Sequence, residues 1–160
     1  MIYSFFESLK FVGHLLPVAF LRIYMGYYYL HLAIEHYKGE FLIRPILAAQ
    51  IAENIPGSAA PVLYKEMMTK FVPHHWEKVA LLMVGIEFAI GLSYVIGYVV
   101  RPTALLGVLF AINMVYLSGL NLEEMNKTIL VLHLVFAWIG AGRCLGVDYY
   151  FYKRHRGFWW

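Results

Sequence analysis

The stretch VALLMVGIEFAIGLSYVIGYVV, residues 79–100, decides the fold, because it is an apolar run long enough to cross a bilayer. Glu87 interrupts it near the middle. An ionised side chain at the centre of a membrane helix costs roughly 2.5 to 3.5 kcal/mol on insertion scales, so such a residue usually faces a bundle interior and has a partner there. Glu87 is therefore the first candidate functional residue.

The composition excludes an ordinary soluble domain, since 61% of the 160 residues are hydrophobic, 18% are aromatic and only 14% are charged. Apolar stretches of about 20 residues, the length that spans a bilayer, occur four times. None alternates with the period of two that a barrel strand needs. We predict an all-α fold, a four-transmembrane-helix bundle that forms a single integral membrane domain over residues 1–160. The predicted spans are residues 15–36, 79–100, 103–120 and 128–146.

The connection between the first two spans, residues 37–78, is predicted to be a helical extramembrane segment. Phe41–Asn54 and Pro61–Val72 both have helical patterns, and Pro56 and Gly57 between them favour a turn. The second helix has an apolar and a charged side, which is typical of a helix that lies on a membrane surface or caps a bundle. A cap and a movable lid over a cavity are both consistent with this pattern.

The charge distribution bears on topology and partners. The basic run Lys153–Arg156, beside Phe158 and two tryptophans, is typical of a cytoplasmic end next to a bilayer. With four spans, both termini are then predicted to be cytoplasmic. The net charge of +3 is modest and its cations do not line one face, so no nucleic-acid partner is expected.

The polar residues inside the predicted spans define a candidate site. A rise of about 1.5 Å per residue, counted from the inner end of each span, places four of them in the outer half of the bundle. These four are Glu87, His133, His31 and Glu35. Arg22 and Asn113 lie deeper by the same count. Small residues follow Glu87 and His133 at helical spacing, which indicates that both faces contact other helices.

Three kinds of chemistry fit these residues. In the first, Glu87 and His133 relay protons to a quinone whose oxygen is held by Arg22 and Asn113, with His31, Glu35 and the ring of Tyr28 nearby. In the second, Arg22 or Arg101 binds the phosphate of a lipid headgroup while Glu87 or His133 acts as a base. The third is a zinc or iron site with His31, Glu35, Glu87 and His133 as ligands, which we do not predict because no HExxH or ExxH motif supports it. The fourth interpretation is purely structural: Glu87 pairs with Arg22, or hydrogen-bonds to Asn113 and Tyr116, and thereby fixes the packing of the helices.

Several motifs together resemble the DoxX/DoxD family of small four-helix membrane proteins. Arg22, Gly26, Tyr29 and Leu30 resemble its R-x-x-x-G-x-x-F-L start. Glu87, Gly91, Gly97, Arg101 and Pro102 are similar to its E-x-x-x-G and G-x-x-x-R-P pattern. The segment from Gly140 through Arg143 to Asp148 looks like its G-x-G-R-x-L-G-x-D ending. Ala33, His36 and the segment 37–78 depart from the family pattern.

The resemblance implies membrane redox work, because DoxD-like proteins are subunits of thiosulfate:quinone oxidoreductase. We therefore expect a multi-pass protein of a bacterial or archaeal cell membrane, with a quinone or lipid ligand and a partner oxidoreductase subunit. A non-catalytic assembly subunit is a further alternative. Catalytic roles are predicted for Glu87, His133 and Arg22, and a structural ion pair for Arg143 and Asp148.

Overall fold

The computed structural model of the protein describes residues 10–154, which are helical with no strand in that range. The end of the predicted basic tail, residues 155–160, lies outside the described residues. Four long helices form the body of the fold: α1 (Leu16–Lys38), α4 (Trp76–Ile96), α5 (Val100–Leu117) and α6 (Leu120–Ile139). Three shorter helices complete it: α2 (Ile46–Asn54), α3 (Val62–Lys70) and α7 (Asp148–Arg154). Single 3₁₀ turns occur at Gly13–Leu15, Glu40–Leu42, Val72–His75 and Ala141–Arg143.

The long helices pack as two antiparallel pairs, α1 with α4 and α5 with α6, and α4 also contacts α5. Glycines allow the first pair to approach closely. A Cβ at Gly26 would lie 2.8 Å from the backbone nitrogen of Val95, and one at Gly91 would lie 2.7 Å from Cγ of Leu30. A larger residue at either position would push the helices apart, so Gly26 and Gly91 fix how α1 and α4 face each other.

Three predicted spans extend past the true helix ends: 79–100, 128–146 and, by three residues, 103–120, since α5 ends at Leu117. Helix α4 stops at Ile96 and α6 at Ile139, in each case followed by a glycine in the left-handed conformation, Gly97 at φ 70° and Gly140 at φ 68°. Glycine adopts this conformation without a Cβ clash and is the usual residue after a helix end. We call the end of the bundle formed by residues 97–99 and 140–148 the closed end.

Residues 40–75 cover the opposite end of the bundle, and we call them the roof segment. As predicted, the segment contains two helices separated by a turn at Pro56 and Gly57. Its apolar side chains form one buried cluster with residues of the long helices: Phe41, Leu47, Ile51, Ile55, Met68, Val72, Ala80, Val84 and Leu117. Asn54 Nδ2 also donates a 2.8 Å hydrogen bond to the carbonyl of Leu117, the last residue of α5. The roof segment is therefore part of the packed fold.

Two helical stretches are long and apolar enough to cross a membrane by length and composition alone: Val62–Ile96, which contains α4, and Val100–Leu117. Large exposed apolar side chains nevertheless occur on all four long helices, for example Phe20, Leu82, Leu109 and Trp138. The bundle thus presents an apolar outer surface as well as an apolar core.

Candidate functional site

Glu87 is buried and has a histidine as its partner. Its carboxylate oxygen Oε2 lies 2.9 Å from Nδ1 of His36, and only 1% of the Glu87 side chain is exposed. The imidazole of His36 stacks on the ring of Phe41 in the roof segment, with ring centroids 4.3 Å apart. Phe41 of the roof segment therefore positions the α1 histidine that binds the buried carboxylate.

Helix α1 supplies this histidine from a stripe that faces α4. The residues along it are spaced alternately by four and three positions: Arg22, Gly26, Tyr29, Ala33 and His36. Such spacing keeps side chains on one face of a helix. All of them are buried except His36, which is partly buried at the roof. His31 and Glu35 lie off this stripe.

A cavity of about 250 Å³ lies beside Glu87 and His36. Its wall is formed by α1, α4, α5, α6 and the roof segment, and most of its lining is aromatic or apolar: Tyr28, Tyr29, Leu32, Phe41, Met83, Phe110, Met114, Leu117, Leu122, Met125 and Ile129. The polar lining residues besides the Glu87–His36 pair are Gln50, Asn54, Ser118 and Asn126. Gln50, Leu122 and Met125 are exposed, so the lining extends to the protein surface near the roof.

His133 was predicted beside Glu87, but its ring nitrogens bind two tyrosines. Nε2 lies 2.8 Å from the hydroxyl of Tyr29, and Nδ1 lies 2.5 Å from the hydroxyl of Tyr94. The imidazole is completely buried against Gly107, where a Cβ would lie 2.5 Å from the ring. Because Tyr29 also lines the cavity, His133 is connected to the cavity through a tyrosine and does not contact Glu87 directly.

Arg22 was predicted to hold a ligand and instead binds the backbone at the closed end. Nη1 donates to the carbonyls of Ala141 (2.7 Å) and Cys144 (3.2 Å), and Nη2 donates to that of Leu145 (3.0 Å). Fourteen positions separate Arg22 from His36 along α1, a rise of about 21 Å. Arg22 is therefore remote from the cavity and holds the chain that follows α6.

Asp148 occupies the same end and caps α5. Its carboxylate accepts hydrogen bonds from the backbone N–H groups of Val99 (2.6 Å) and Val100 (3.0 Å). Burial raises the pKa of the Asp148 carboxyl, while those two N–H groups and the charges of Arg22 and Arg143 oppose the rise. Two orphan donors at the start of a helix are thereby satisfied by a residue distant in sequence.

The other predicted arginines also lie at the closed end. The guanidinium of Arg143 lies over the ring of Tyr152, 4.1 Å from its centroid, and its charge acts on Asp148. Nη2 of Arg101 is 3.4 Å from the carbonyl oxygen of Trp138. The closed end thus collects all three arginines that the motifs single out, Arg22, Arg101 and Arg143.

Of the five predicted ligand-binding residues, four lie outside the cavity, including Arg101 at the closed end, and one lines it. His31 and Glu35 are exposed and contact each other at 3.5 Å. Asn113 accepts a 2.9 Å hydrogen bond from the hydroxyl of Tyr64, which ties α3 to α5. Tyr28 lines the cavity. Within residues 10–154 no group of three or more His, Cys, Asp or Glu side chains is arranged to hold a metal ion.

Sequence reasoning missed His36 and assigned no hydrogen-bonding role to Tyr29 or Tyr94. The alternation of four and three from Arg22 and Gly26 is the signal that could have found His36, because it continues the inward stripe to that position. Tyr94 lies seven positions after Glu87, two helical turns along the same face of α4. Both spacings were readable in the sequence.

Comparison with known proteins gives no match: no family model, no curated protein and no solved structure corresponds to this chain. The likeness to the DoxX/DoxD family therefore rests on the motifs quoted above alone.

Proposed function

We propose that this chain is an integral membrane protein whose helix bundle binds a small ring-shaped ligand of the quinone class, with Glu87 and His36 as the proton-exchanging pair. The observation that carries the proposal is the buried carboxylate of Glu87, which is bonded to an imidazole at the wall of a cavity lined by aromatic and methionine side chains.

Membrane placement of all four long helices is supported by the surface of the bundle. Exposed apolar side chains occur along each of them. Basic residues lie at or near the helix ends, with Lys38 and Lys78 beside the roof segment, Arg143 in the closed end and Lys153 in α7, which follows it. An apolar band between charged ends is the pattern that a bilayer selects. The proposed membrane protein therefore spans the bilayer four times, with the cavity near the roof.

The size of the cavity favours a single ring as its occupant. Small-molecule sites usually measure roughly 300 to 1,000 Å³, and this cavity of about 250 Å³ lies just below that range. It accommodates a quinone headgroup more readily than a whole phospholipid headgroup with its glycerol. The rings of Tyr28, Tyr29 and Phe110 provide the flat surfaces against which a quinone ring stacks.

Glu87 and His36 supply the chemistry that a quinone site needs. Reduction of a quinone takes up two protons with two electrons, and oxidation of the quinol releases them. As the quinone is reduced, a carboxyl group hydrogen-bonded to an imidazole can donate a proton to the quinone oxygen and regain one through the histidine. Because His36 is 28% exposed, it can exchange that proton with water near the roof.

The electrons come from outside the chain in this proposal. The expectation of a partner oxidoreductase subunit follows from the DoxX/DoxD resemblance, and in this proposal that partner supplies the electrons. The chain's own contribution is to bind the quinone and to exchange its protons.

The phospholipid alternative receives less support from the geometry. It requires an arginine to hold the phosphate near Glu87. Both terminal nitrogens of Arg22 are bonded to backbone carbonyls, and Arg22 lies about 21 Å from His36 along α1. Arg101 contacts Trp138 at the same closed end. The cavity lining contains no lysine or arginine among the described residues.

Binding of duroquinol, kept reduced under anaerobic conditions, tests the proposal in lipid nanodiscs. We expect Glu87→Gln and His36→Ala to weaken binding about tenfold, which corresponds to about 1.4 kcal/mol, because the first replaces the ionisable carboxylate with an amide and the second removes the imidazole from the site. Glu35→Gln and His31→Ala change the same residue types on the exposed face of α1 and serve as matched controls.

Equal affinity for the wild type and the two cavity variants would contradict the proposal, as would a loss of affinity in the controls of the same size. A protein that binds no duroquinol at all, and carries no quinone when purified from its membrane, would support the assembly-subunit alternative instead.

A further inference from the structure

The hydrogen-bond direction in the Tyr29–His133–Tyr94 triad determines what the cavity offers to a ligand. His133 is completely buried, and each of its ring nitrogens faces one tyrosine hydroxyl. Gly107 leaves the space that the imidazole occupies. The ring is therefore held in one place, and only the positions of the protons can differ.

The imidazole of His133 is neutral for a physical reason. A buried charge without a partner of opposite sign costs far more than a neutral polar group. No carboxylate bonds to His133 among the described residues, whose Asp and Glu contacts lie elsewhere. In a neutral imidazole one nitrogen carries a hydrogen and donates, and the other accepts. One tyrosine must therefore donate to the ring and the other must accept from it.

Tyr94 decides which tyrosine donates. It is completely buried, and within the described chain its hydroxyl bonds to His133 alone. If Tyr94 accepted from Nδ1, its own proton would have no acceptor, and an unsatisfied buried donor costs about 1 to 3 kcal/mol. Tyr94 therefore donates to Nδ1. Nε2 then carries the hydrogen of the imidazole and donates to the hydroxyl oxygen of Tyr29.

Tyr29 consequently keeps its own hydroxyl proton. Apart from His133, no residue of the described chain bonds to this hydroxyl, and Tyr29 lines the cavity. We infer that Tyr29 presents a hydrogen-bond donor to the cavity, so the site selects ligands whose ring carries a carbonyl oxygen. Tyr94 and His133 act as positioning residues that set this direction. The inference rests on the proposed function and adds to it the group that recognises the ligand.

The consequence for the ligand is specific. In addition to its other polar lining residues, the cavity has a hydrogen-bond donor at Tyr29 and a proton-exchanging pair at Glu87 and His36. A ring that carries two oxygens can engage both, whereas a hydrocarbon ring of the same shape can engage neither. The affinity of the cavity should therefore depend on ring oxygens more than on ring size.

The first test observes the tautomer directly. Solid-state NMR of the histidine-labelled protein in lipid distinguishes the two ring nitrogens, and the His133 signals are assigned by their loss in His133→Asn. We expect the hydrogen on Nε2. A hydrogen on Nδ1, or on both nitrogens, would overturn the inference without reference to any ligand.

The second test compares duroquinone with durene, which has the same ring and methyl groups but no oxygens. We expect Tyr29→Phe, which keeps the ring and removes the hydroxyl, to weaken duroquinone binding about tenfold in nanodiscs and to leave durene unchanged. Tyr94→Phe should weaken duroquinone binding by a smaller factor, because it removes the bias on the tautomer. Tyr27→Phe alters an exposed tyrosine of the same helix and should change neither affinity.

The outcomes separate the two proposals. If the wild type binds duroquinone and Tyr29→Phe has no effect, or if it affects durene equally, the inference is wrong and the quinone cavity stands. If the wild type binds duroquinone no better than durene, the donor role of Tyr29 and the quinone class of the ligand are both wrong.

Discussion

The two ends of the bundle both bury a charged side chain, and they use it differently. At the closed end Arg22 is completely buried and its terminal nitrogens bond to three backbone carbonyls of one loop. At the roof end Glu87 is equally buried, bonds to one imidazole and borders a cavity. The guanidinium of Arg22 is surrounded by backbone carbonyls, whereas the carboxylate of Glu87 has a cavity beside it.

The difference shows that burial of a charge does not by itself identify a functional residue. A buried charge whose terminal atoms bond to several backbone groups stabilises that backbone, because removing it leaves those groups unpaired. A buried charge beside a cavity retains capacity for a ligand. On this criterion Arg22 and Asp148 belong to the fold, and Glu87 belongs to the candidate site.

The largest expected effect follows from removing the guanidinium at the closed end. Arg22→Met keeps the apolar stem and leaves the carbonyls of residues 141, 144 and 145 without their donor. Hydrogen bonds to charged groups contribute about 1.5 to 3 kcal/mol each, so we expect the free energy of unfolding to fall by about 3 kcal/mol or more. Unfolding in mixed detergent micelles measures it.

Arg44→Met is the matched control, because Arg44 forms an exposed ion pair with Glu40 at 3.0 Å. Exposed pairs contribute about 1 kcal/mol or less. A similar loss of stability in both variants would show that the closed end does not depend on Arg22.

A smaller loss is expected from the cap of α5. Asp148→Ala removes the acceptor of the N–H groups of Val99 and Val100 and should lower the free energy of unfolding by about 1 to 2 kcal/mol, as for a lost helix cap. Hydrogen exchange should accelerate at the first amides of α5. Unchanged exchange there, compared with Glu53→Ala at an exposed position, would argue against the cap.

The roof segment should respond more weakly and locally. Tyr64→Phe removes the hydrogen bond to Asn113, which contributes about 1 kcal/mol. If the roof segment opens as a lid, proteolysis at the Pro56–Gly57 turn should accelerate severalfold in this variant, and bound duroquinol should slow it. Cleavage that is insensitive to both would leave the segment with a capping role only. Tyr24→Phe, at an exposed tyrosine, is the control.

The smallest change in stability is expected at Glu87, in contrast to Arg22. Glu87→Gln removes a charge that is costly to bury and keeps a group that bonds to His36. We expect the free energy of unfolding to stay within about 1 kcal/mol of the wild type or to rise. A loss of 3 kcal/mol or more would place Glu87 with Arg22 among the structural charges and remove the contrast between the two ends.

The sequence predicted the fold better than the contacts within the site. Hydrophobic runs locate the long helices, and the small residue Gly91 correctly indicates that Glu87 faces inward, since Gly91 packs against Leu30 of α1. The prediction that His133 is the partner of Glu87 was wrong, because the depth of His133 was counted from a helix end placed too far along the chain. The predicted fourth span ran to residue 146, whereas α6 ends at Ile139, so His133 lies about 9 Å from its helix end and not about 20 Å.

The misplaced helix ends and the missed roles of Arg22 and Asp148 both depend on features that a hydrophobicity pattern does not contain. Gly97 and Gly140 end their helices through a backbone conformation that hydrophobicity does not reveal. The hydrogen bonds of Asp148 join residues more than 45 positions apart in the sequence, and those of Arg22 join residues more than 115 positions apart. Both sets of bonds depend on how the two helix pairs meet. Pairing of that kind follows from packing and not from local pattern.

Photolabelling with a light-activated quinone analogue in nanodiscs tests the central claim most directly. We predict that label is found on cavity residues such as Met83, Phe110 and Met114, and that excess duroquinone removes it. Label confined to the outward apolar faces of the helices, unaffected by duroquinone, would contradict the claim that the cavity beside Glu87 is the binding site.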